Sequence, residues 1–466
     1  MTSLLDAIVG AYDVRGLVDS QLTPDVAEAL GVAWVVTQKL TDQSVVIGHD
    51  MRPSSPELAD SLARGASRAG AHVIEVGLAS TDMVYYASGV LDASAVMITA
   101  SHNPAEYNGL KFTQPGAKGL SRANGLADIA EGASKILAGH PVEWGNTGSR
   151  EHRSILADYA AYMRQLVDLS HSRRLRVVVD AANGMAGLTV PEVFSDPTWP
   201  VDIVPMYFEL DGTFPHHEAN PLNPDNLVDL QAAVIAHGAD VGLAFDGDAD
   251  RVFVIDENGD PVTPSAIGQM VAAREIARFT DLHPAGHPTI IYNLICSRAL
   301  PEKIVALGAT AHRTAVGHSL IKTEMARTGA IFGAEHSAHY YFKDFWGADN
   351  GMLAALHVLA ELGSSSQTLS QLCADYSPYA ASGELNFRVK SVDAVMAAIT
   401  EQFGHTGDVD LLDGITVTSS DPHVMWWFNV RASNTEPLVR LNVEAQSSAD
   451  MEAWRERVAA VIVSQN

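Results

Sequence analysis

Apolar residues in this chain gather in short continuous runs, each of which empties into a polar turn. Ser44-Val45-Val46-Ile47-Gly48, Ala95-Val96-Met97-Ile98, Leu175-Arg176-Val177-Val178-Val179, Val241-Gly242-Leu243-Ala244-Phe245 and Thr289-Ile290-Ile291-Tyr292-Asn293 share that form. A strand buried on both faces of a helix-covered sheet has this pattern. Helix-like segments lie between them, over 24–40 and over 56–70 after the turn His49-Asp50-Met51-Arg52-Pro53-Ser54-Ser55. Strand, polar turn and helix in succession form the unit of a parallel sheet. The unit recurs in three blocks, and each block has a later apolar strand that opens into a polar loop, at Ser101, at Asp246 and at Glu335. This weak repetition predicts three related α/β domains with mixed sheets.

The last part of the chain is patterned differently. Glu384-Leu385-Asn386-Phe387-Arg388-Val389 alternates, and Met425-Trp426-Trp427-Phe428-Asn429-Val430 follows it, so an antiparallel sheet with helices on one side fits best. Trp426 and Trp427 read as core and edge packing. Breaks near His140-Pro141 and Gly145 to Ser149, at Glu257-Asn258-Gly259-Asp260, and near Gly363-Ser364-Ser365-Ser366 divide the chain. The expected domains are 1–146, 147–257, 258–368 and 369–466, the last of α+β type.

At 466 residues the chain exceeds one ordinary core, and 47% hydrophobic with 18% charged residues describes a folded protein. The 30 Lys and Arg against 56 Asp and Glu give a formal charge of -26, which disfavours nucleic acid and anionic membranes as partners. Against that field, any phosphate site must be built from local cations and backbone amides. Cys296 and Cys373 are too few and too far apart for a disulfide framework or a zinc site. The first residues lack a signal-peptide pattern, and no uncharged apolar run reaches membrane-spanning length. A cytoplasmic protein is expected, either a monomer or a weak homodimer.

Thr99-Ala100-Ser101-His102-Asn103-Pro104 follows a buried run, and Pro104 can begin a helix. The spacing predicts a strand-to-helix turn whose free amides and Ser101 hydroxyl suit a phosphate, with Lys111 of Tyr107-Asn108-Gly109-x-Lys111 close by. Ser101 is read as a phosphoryl carrier. Asp246-Gly247-Asp248-Ala249-Asp250-Arg251 places three carboxylates on alternate residues, able to converge on one hard cation, for which magnesium is the expected ion. Arg251 stands where a calcium-binding EF-hand needs glycine, and Val252-Phe253-Val254-Ile255 looks like a strand, so that alternative fails.

Glu335-x-Ser337 can turn two polar side chains toward sugar hydroxyls, although loop packing explains the same residues. Arg431-Ala432-Ser433-Asn434-Thr435 collects donors only and suits an anion. Arg440 reads as strand surface, and His216 and His217 lack metal-ligand spacing. Arg15, in Tyr12-Asp13-Val14-Arg15-Gly16, shows no partner in the sequence and could simply be an exposed loop cation.

Together these stretches resemble the alpha-D-phosphohexomutase family over nearly the whole chain. The resemblance implies four domains around a central cleft and a phosphoserine at Ser101, with Mg²⁺ held by Ser101, Asp246, Asp248 and Asp250. It places Arg15 beside the phosphoserine, with Lys111 and Arg251 as further cations on the transferred group and His102 or His339 as candidate bases. It assigns substrate contacts to Tyr12, to Thr314, Val316, Gly317 and His318 of the Thr-x-Val-Gly-His loop, to Glu335 and Ser337, and to Arg431, Ser433, Asn434 and Thr435. This chain has His336 where the family has methionine, Ala334 where it often has glycine, and Ile295 where several relatives have a basic residue. The implied activity interconverts mannose 6-phosphate and mannose 1-phosphate through a hexose 1,6-bisphosphate. A glucose-specific or dual mutase is the near alternative, and a Mg²⁺-dependent sugar-phosphate hydrolase is the alternative from another class.

Overall fold

A computed structural model of the chain describes residues 4–141, 145–433 and 438–465. Its first three sheets repeat one topology. In the first, Val14–Leu17, Tyr107–Gln114, Ser94–Ile98, Ser44–His49, His72–Leu78 and Arg150–His152 lie in that order. Ser94–Ile98 is parallel to Ser44–His49 and antiparallel to Tyr107–Gln114. In the second, Val241–Phe245 is parallel to Leu175–Asp180 and antiparallel to Val252–Ile255. In the third, Phe332–Ala334 is parallel to Thr289–Asn293 and antiparallel to Tyr340–Phe342. The fourth sheet, from Ala380–Arg388 to Asp408–Asp410, is antiparallel throughout.

This repetition places the three motif loops. Each lies where the last parallel strand turns back into an antiparallel neighbour, so Ser101, Asp246 and Glu335 occupy corresponding corners of three sheets. It also corrects one expectation. Pro104 starts no helix; residues 99–106 form a loop and the chain re-enters the sheet at Tyr107. The hydrogen-bonding capacity of Tyr107 to Gln114 is taken by two strands, Val14–Leu17 on one side and Ser94–Ile98 on the other, which leaves no room for helical pairing.

Helices begin where the pattern places them. Pro24 opens Pro24–Thr37 behind a Thr23 cap whose hydroxyl accepts from Val26 N at 3.3 Å. Ser55–Arg68 covers the second predicted segment. Two sheets extend past the expected domain limits at 146 and 257: Arg150–His152 joins the first, and Pro261–Val262 joins the second.

The core divides unevenly. Met97, Tyr159, Val178, Phe245, Phe332 and Leu356 belong to one buried cluster that runs through all of the first three domains. The fourth domain has its own, built on Val395, Phe403, Phe428 and Val458. Trp426 packs there against Trp454 at 3.9 Å between ring centres, and Trp427 is 7% exposed, so both serve packing as expected. No helix among the described residues is long and apolar enough to cross a membrane.

Candidate active site

Ser101 sits at the tip of its loop with a left-handed backbone, φ 50°, and is 4% exposed. Its Oγ donates to Asp246 Oδ2 at 2.8 Å and lies 3.2 Å from His102 Nδ1. The loop is held from beneath by Arg52, whose guanidinium donates to the carbonyls of Ser101, Asn103, Pro104 and Tyr107 at 2.6–2.9 Å. Asp50 Oδ2 lies 3.3 Å from Arg52 Nε, and both side chains are wholly buried. Arg52 was not anticipated from sequence. The available signal was Asp50-x-Arg52-Pro53 directly after a first parallel strand, a cation and a carboxylate in a turn facing the same edge of the sheet.

Gly247 explains part of the acidic motif. A Cβ there would come within 2.5 Å of Ser101 O, so only glycine lets the metal loop approach the serine loop. The flanking aspartates, Asp246, Asp248 and Asp250, are at most 1% exposed, and their oxygens lie within 4.8 Å of one another. Lys111 Nζ bridges Asp248 Oδ2 and Asp250 Oδ2 at 2.6 and 2.7 Å. Arg251 donates to Asp246 through Nε at 3.0 Å and Nη2 at 2.9 Å.

These contacts divide the carboxylates. Burial pushes Asp246 up to about 7, against the pull of Arg251. Asp248 and Asp250 resist burial because Lys111 stabilises their charge, and both lie below the usual carboxylate range. Asp248 Oδ1 and Asp250 Oδ1 are buried and lack a hydrogen-bond partner among the described residues. Unpartnered anionic oxygens facing two more oxygen donors, Asp246 and Ser101, suit a small hard cation. The residues therefore fit the expected metal.

Arg15 is not an exposed loop cation. It donates to Ala100 O at 3.1 Å and to Asn103 Oδ1, and pairs with Asp13. His102 Nδ1 accepts from Arg251 Nη2 at 2.6 Å, and burial followed by the charges of Arg251 and Arg15 drives its pKa well below the ordinary value. His102 is neutral as a result. Two further residues come to this cavity of about 190 Å³ without having been anticipated, Lys322 and Asp349, paired at 2.6 Å. Lys322 also lies 4.1 Å above the Tyr85 ring. Their separation in sequence and the ordinary look of each segment gave no signal.

The sugar-loop residues meet this cluster through His339. Its Nδ1 is 3.0 Å from Ser337 Oγ and 3.6 Å from Glu335 Oε2, while Nε2 is 3.9 Å from Asp250 Oδ1. Glu335 is 2% exposed and already accepts from Tyr341 Oη at 2.6 Å, Asn293 Nδ2 at 3.3 Å and Gly317 N at 3.3 Å. A carboxylate offers about four acceptor positions, so Glu335 keeps one for a sugar hydroxyl. Ser337 beside it is half-buried.

Gly317 abuts Tyr12, whose hydroxyl would be 3.0 Å from a Cβ at that position. Val316 N donates to Asp413 of the fourth domain at 3.0 Å, and Thr314 Oγ1 turns back to Tyr292 O at 3.4 Å. Nothing is described for the His318 side chain, and Asn434 and Thr435 lie outside the described residues. Arg431 is nearly buried and pairs with Glu384 at 2.9 Å, and Ser433 N donates to Leu438 O at 2.9 Å. Ile295 is 6% exposed, and the basic side chain of that turn is Arg298, which pairs with Glu302 at 3.2 Å.

Comparison with known proteins agrees with this geometry. Residues 6–136, 157–259 and 267–379 match the phosphoglucomutase/phosphomannomutase alpha/beta/alpha domains I, II and III, and 384–461 match the C-terminal domain of the same family. A protein named phosphohexose mutases in Xanthomonas campestris is 36% identical, with 94% of this chain and 95% of the relative covered. A phosphomannomutase of Salmonella typhimurium is 34% identical, with 98% of each covered. A crystal structure of a phosphoglucomutase/phosphomannomutase family protein from Burkholderia thailandensis superposes with a TM-score of 0.86 at 30% identity, covering 100% of this chain and 99% of that one. With four domain matches in order and the serine, aspartate and glutamate loops brought to corresponding sheet corners, the chain belongs to the phosphoglucomutase/phosphomannomutase family.

Proposed function

We propose that this protein is a phosphohexose mutase that interconverts mannose 6-phosphate and mannose 1-phosphate through a phosphorylated Ser101. The observation that carries this reading is the Ser101 hydroxyl, 2.8 Å from Asp246 within a buried trio of aspartates flanked by Lys111 and Arg251. Here the groups around Ser101 are cations and carboxylates suited to hold a phosphoryl group on the serine and pass it to another hydroxyl.

In the first half-reaction the free sugar hydroxyl attacks phosphorus, the bond to Ser101 Oγ breaks, and a hexose 1,6-bisphosphate results. The leaving Oγ takes up a proton, the equivalent of the one the base removes from the sugar hydroxyl, and so returns to the hydroxyl that donates to Asp246, while Lys111, Arg15 and Arg251 carry the charge on the phosphoryl oxygens. His339 is the better-placed base for the hydroxyl proton, because its ring lies 3.6 Å from Glu335 Oε2 and 3.9 Å from Asp250 Oδ1. His102 faces two guanidiniums and is a poor proton acceptor. The second half-reaction reverses these transfers from the other phosphate after the bisphosphate has turned in the site.

Asp246, Asp248, Asp250 and Ser101 would hold Mg²⁺, which when bound supplies positive charge against the phosphoryl oxygens. Tyr12, Thr314, Val316, Gly317, His318, Glu335 and Ser337 would contact the sugar, and Arg431, Ser433, Asn434 and Thr435 the phosphate that does not react.

The test is a coupled assay on purified protein with Mg²⁺ and a trace of hexose 1,6-bisphosphate, with mannose 1-phosphate and glucose 1-phosphate in parallel. Isomer formation that falls at least about a thousandfold in Ser101→Ala is expected. Release of inorganic phosphate without isomer, or an active Ser101→Ala enzyme, would sink the phosphoserine mechanism. The ratio of the two sugars decides between a mannose and a dual enzyme.

A further inference from the structure

The anion loop of the fourth domain contains more than its sequence motif. Arg431 and Arg440 are direct register partners on the neighbouring strands Trp426–Ala432 and Leu438–Ala445, so their side chains leave the same face of the sheet. Glu384 reaches both from the next strand, Ala380–Arg388. Its Oε2 accepts from Arg431 Nη2 at 2.9 Å, and its Oε1 lies 3.1 Å from Arg440 Nη1. The reach depends on a break in register between Ala381 and Glu384, beside Gly383 with φ 67°, the kind of irregularity that re-aims a side chain.

Both guanidiniums keep unused donors. Arg431 Nε and Arg440 Nε are buried without a hydrogen-bond partner among the described residues. The Arg431 side chain is 4% exposed, against 24% for Glu384 and 28% for Arg440. His336, next to the sugar-loop residues Glu335 and Ser337, faces this group from the third domain, with its Nδ1 also buried and unpartnered. One carboxylate thus bridges two arginines, and the trio has a formal charge of +1 where the arginines alone would have +2.

We propose that Glu384 is a positioning residue of the phosphate clamp, joining Arg431 and Arg440 into one two-guanidinium site and lowering its charge so that a bound phosphate can leave. The proposal rests on the mutase function. A mutase must hold the 1-phosphate in one half-reaction and the 6-phosphate in the other, and must release each while the bisphosphate turns. Grip beyond what transfer requires stabilises the bound ground state and slows that turn. Glu384 competes for the N–H donors that a phosphate would use, and it fixes the separation of the two forks. Arg440 becomes a phosphate contact, not strand surface.

The experiment measures binding of glucose 1,6-bisphosphate by titration calorimetry to Ser101→Ala protein, in which no transfer occurs, and kcat with KM in the Ser101 background. Glu384→Gln is expected to bind the bisphosphate about tenfold tighter and to lower kcat and KM together. Arg440→Met is expected to weaken binding about tenfold, and Arg440→Lys to recover part of it. If Glu384→Gln does not fold, Glu384→Met, which removes the same charge with a side chain of similar length, is read by the same titration with the same expected sign. Weaker or unchanged binding on loss of the Glu384 bridge would reduce Glu384 to a strut and overturn the proposal, as would an Arg440→Met protein that binds like its parent. The mutase reading fails separately: a Ser101 protein that binds bisphosphate and forms no isomer overturns that reading, while the titrations still score the clamp.

Discussion

The Ser101 site and the Arg431 site are both places for a phosphate, but the chain builds them in opposite ways. Around Ser101 the first two domains share buried charges: Lys111 crosses to Asp248 and Asp250, Arg251 crosses to His102, and Thr81 N donates to Asp248 O at 3.0 Å. These groups lie over a hydrophobic cluster common to three domains. Arg431 stands on a domain with a core of its own. Polar contacts such as Val316 N to Asp413, Arg298 N to Glu444 and Arg313 to Asp410 tie that domain to the third. A site that must stabilise charge in transfer gains from being fixed in advance. A clamp that must accept either end of a bisphosphate gains from being hung on contacts that cost little to remake.

The largest effect expected from this contrast is at Lys111. Lys111→Met removes the cation between two buried carboxylates, and mutase activity should fall about a thousandfold in the coupled assay. A loss of less than tenfold would mean that the site is not held by this pair. Next comes Arg52→Ala, which strands Asp50 and four loop carbonyls; urea unfolding should show a loss of about 3–5 kcal/mol. Arg52→Lys should recover little, since one ammonium cannot serve carbonyls spread over Ser101 to Tyr107.

A pH effect is expected beside the first site. Asp82, bonded to Ser80 and Tyr159 where the first two domains meet, is pushed by burial up to about 7. Folded protein therefore keeps a proton that the unfolded chain releases near pH 4. Stability from this group is full below pH 4 and is lost as pH rises toward 7. Asp82→Asn should flatten the dependence of urea midpoint on pH over that interval, and an unchanged slope would remove Asp82 as its source. The smallest effect is expected at Asp413. Asp413→Ala should raise KM several-fold and cost about 1 kcal/mol or less in unfolding, because it breaks one hydrogen bond between separately cored domains. A loss as large as that of Arg52→Ala would show that the fourth domain is not loosely tied.

Much of the Ser101 site was legible because its residues are close in sequence to buried strands. Ser101, Asp246, Asp248 and Asp250 follow apolar runs directly, so the strand ends locate them. Arg52, Lys322 and Asp349 were not seen, although Arg52 and Asp349 are as buried as the aspartates and the Lys322 side chain is only 8% exposed. A buried charge shows in sequence only when its partner is near, and Lys322 meets Asp349 across a helix and two strands. The helix expected at Pro104 failed for a related reason: local turn chemistry allowed it, and pairing with two distant strands overruled it.

The sequence alone determined three repeating α/β domains, an antiparallel fourth, and the kinds of side chain available at each loop. Periodicity and turn residues are local properties, and they decide elements and sheet type. Which loops meet was decided only in three dimensions. The repeated topology sets Ser101, Asp246 and Glu335 at corresponding corners, and the close approach permitted by Gly247 brings Ser101 to the aspartates. Likewise the state of Asp246, the neutrality of His102 and the sharing of Glu384 by two arginines follow from burial and distance, and no spacing along the chain encodes those quantities.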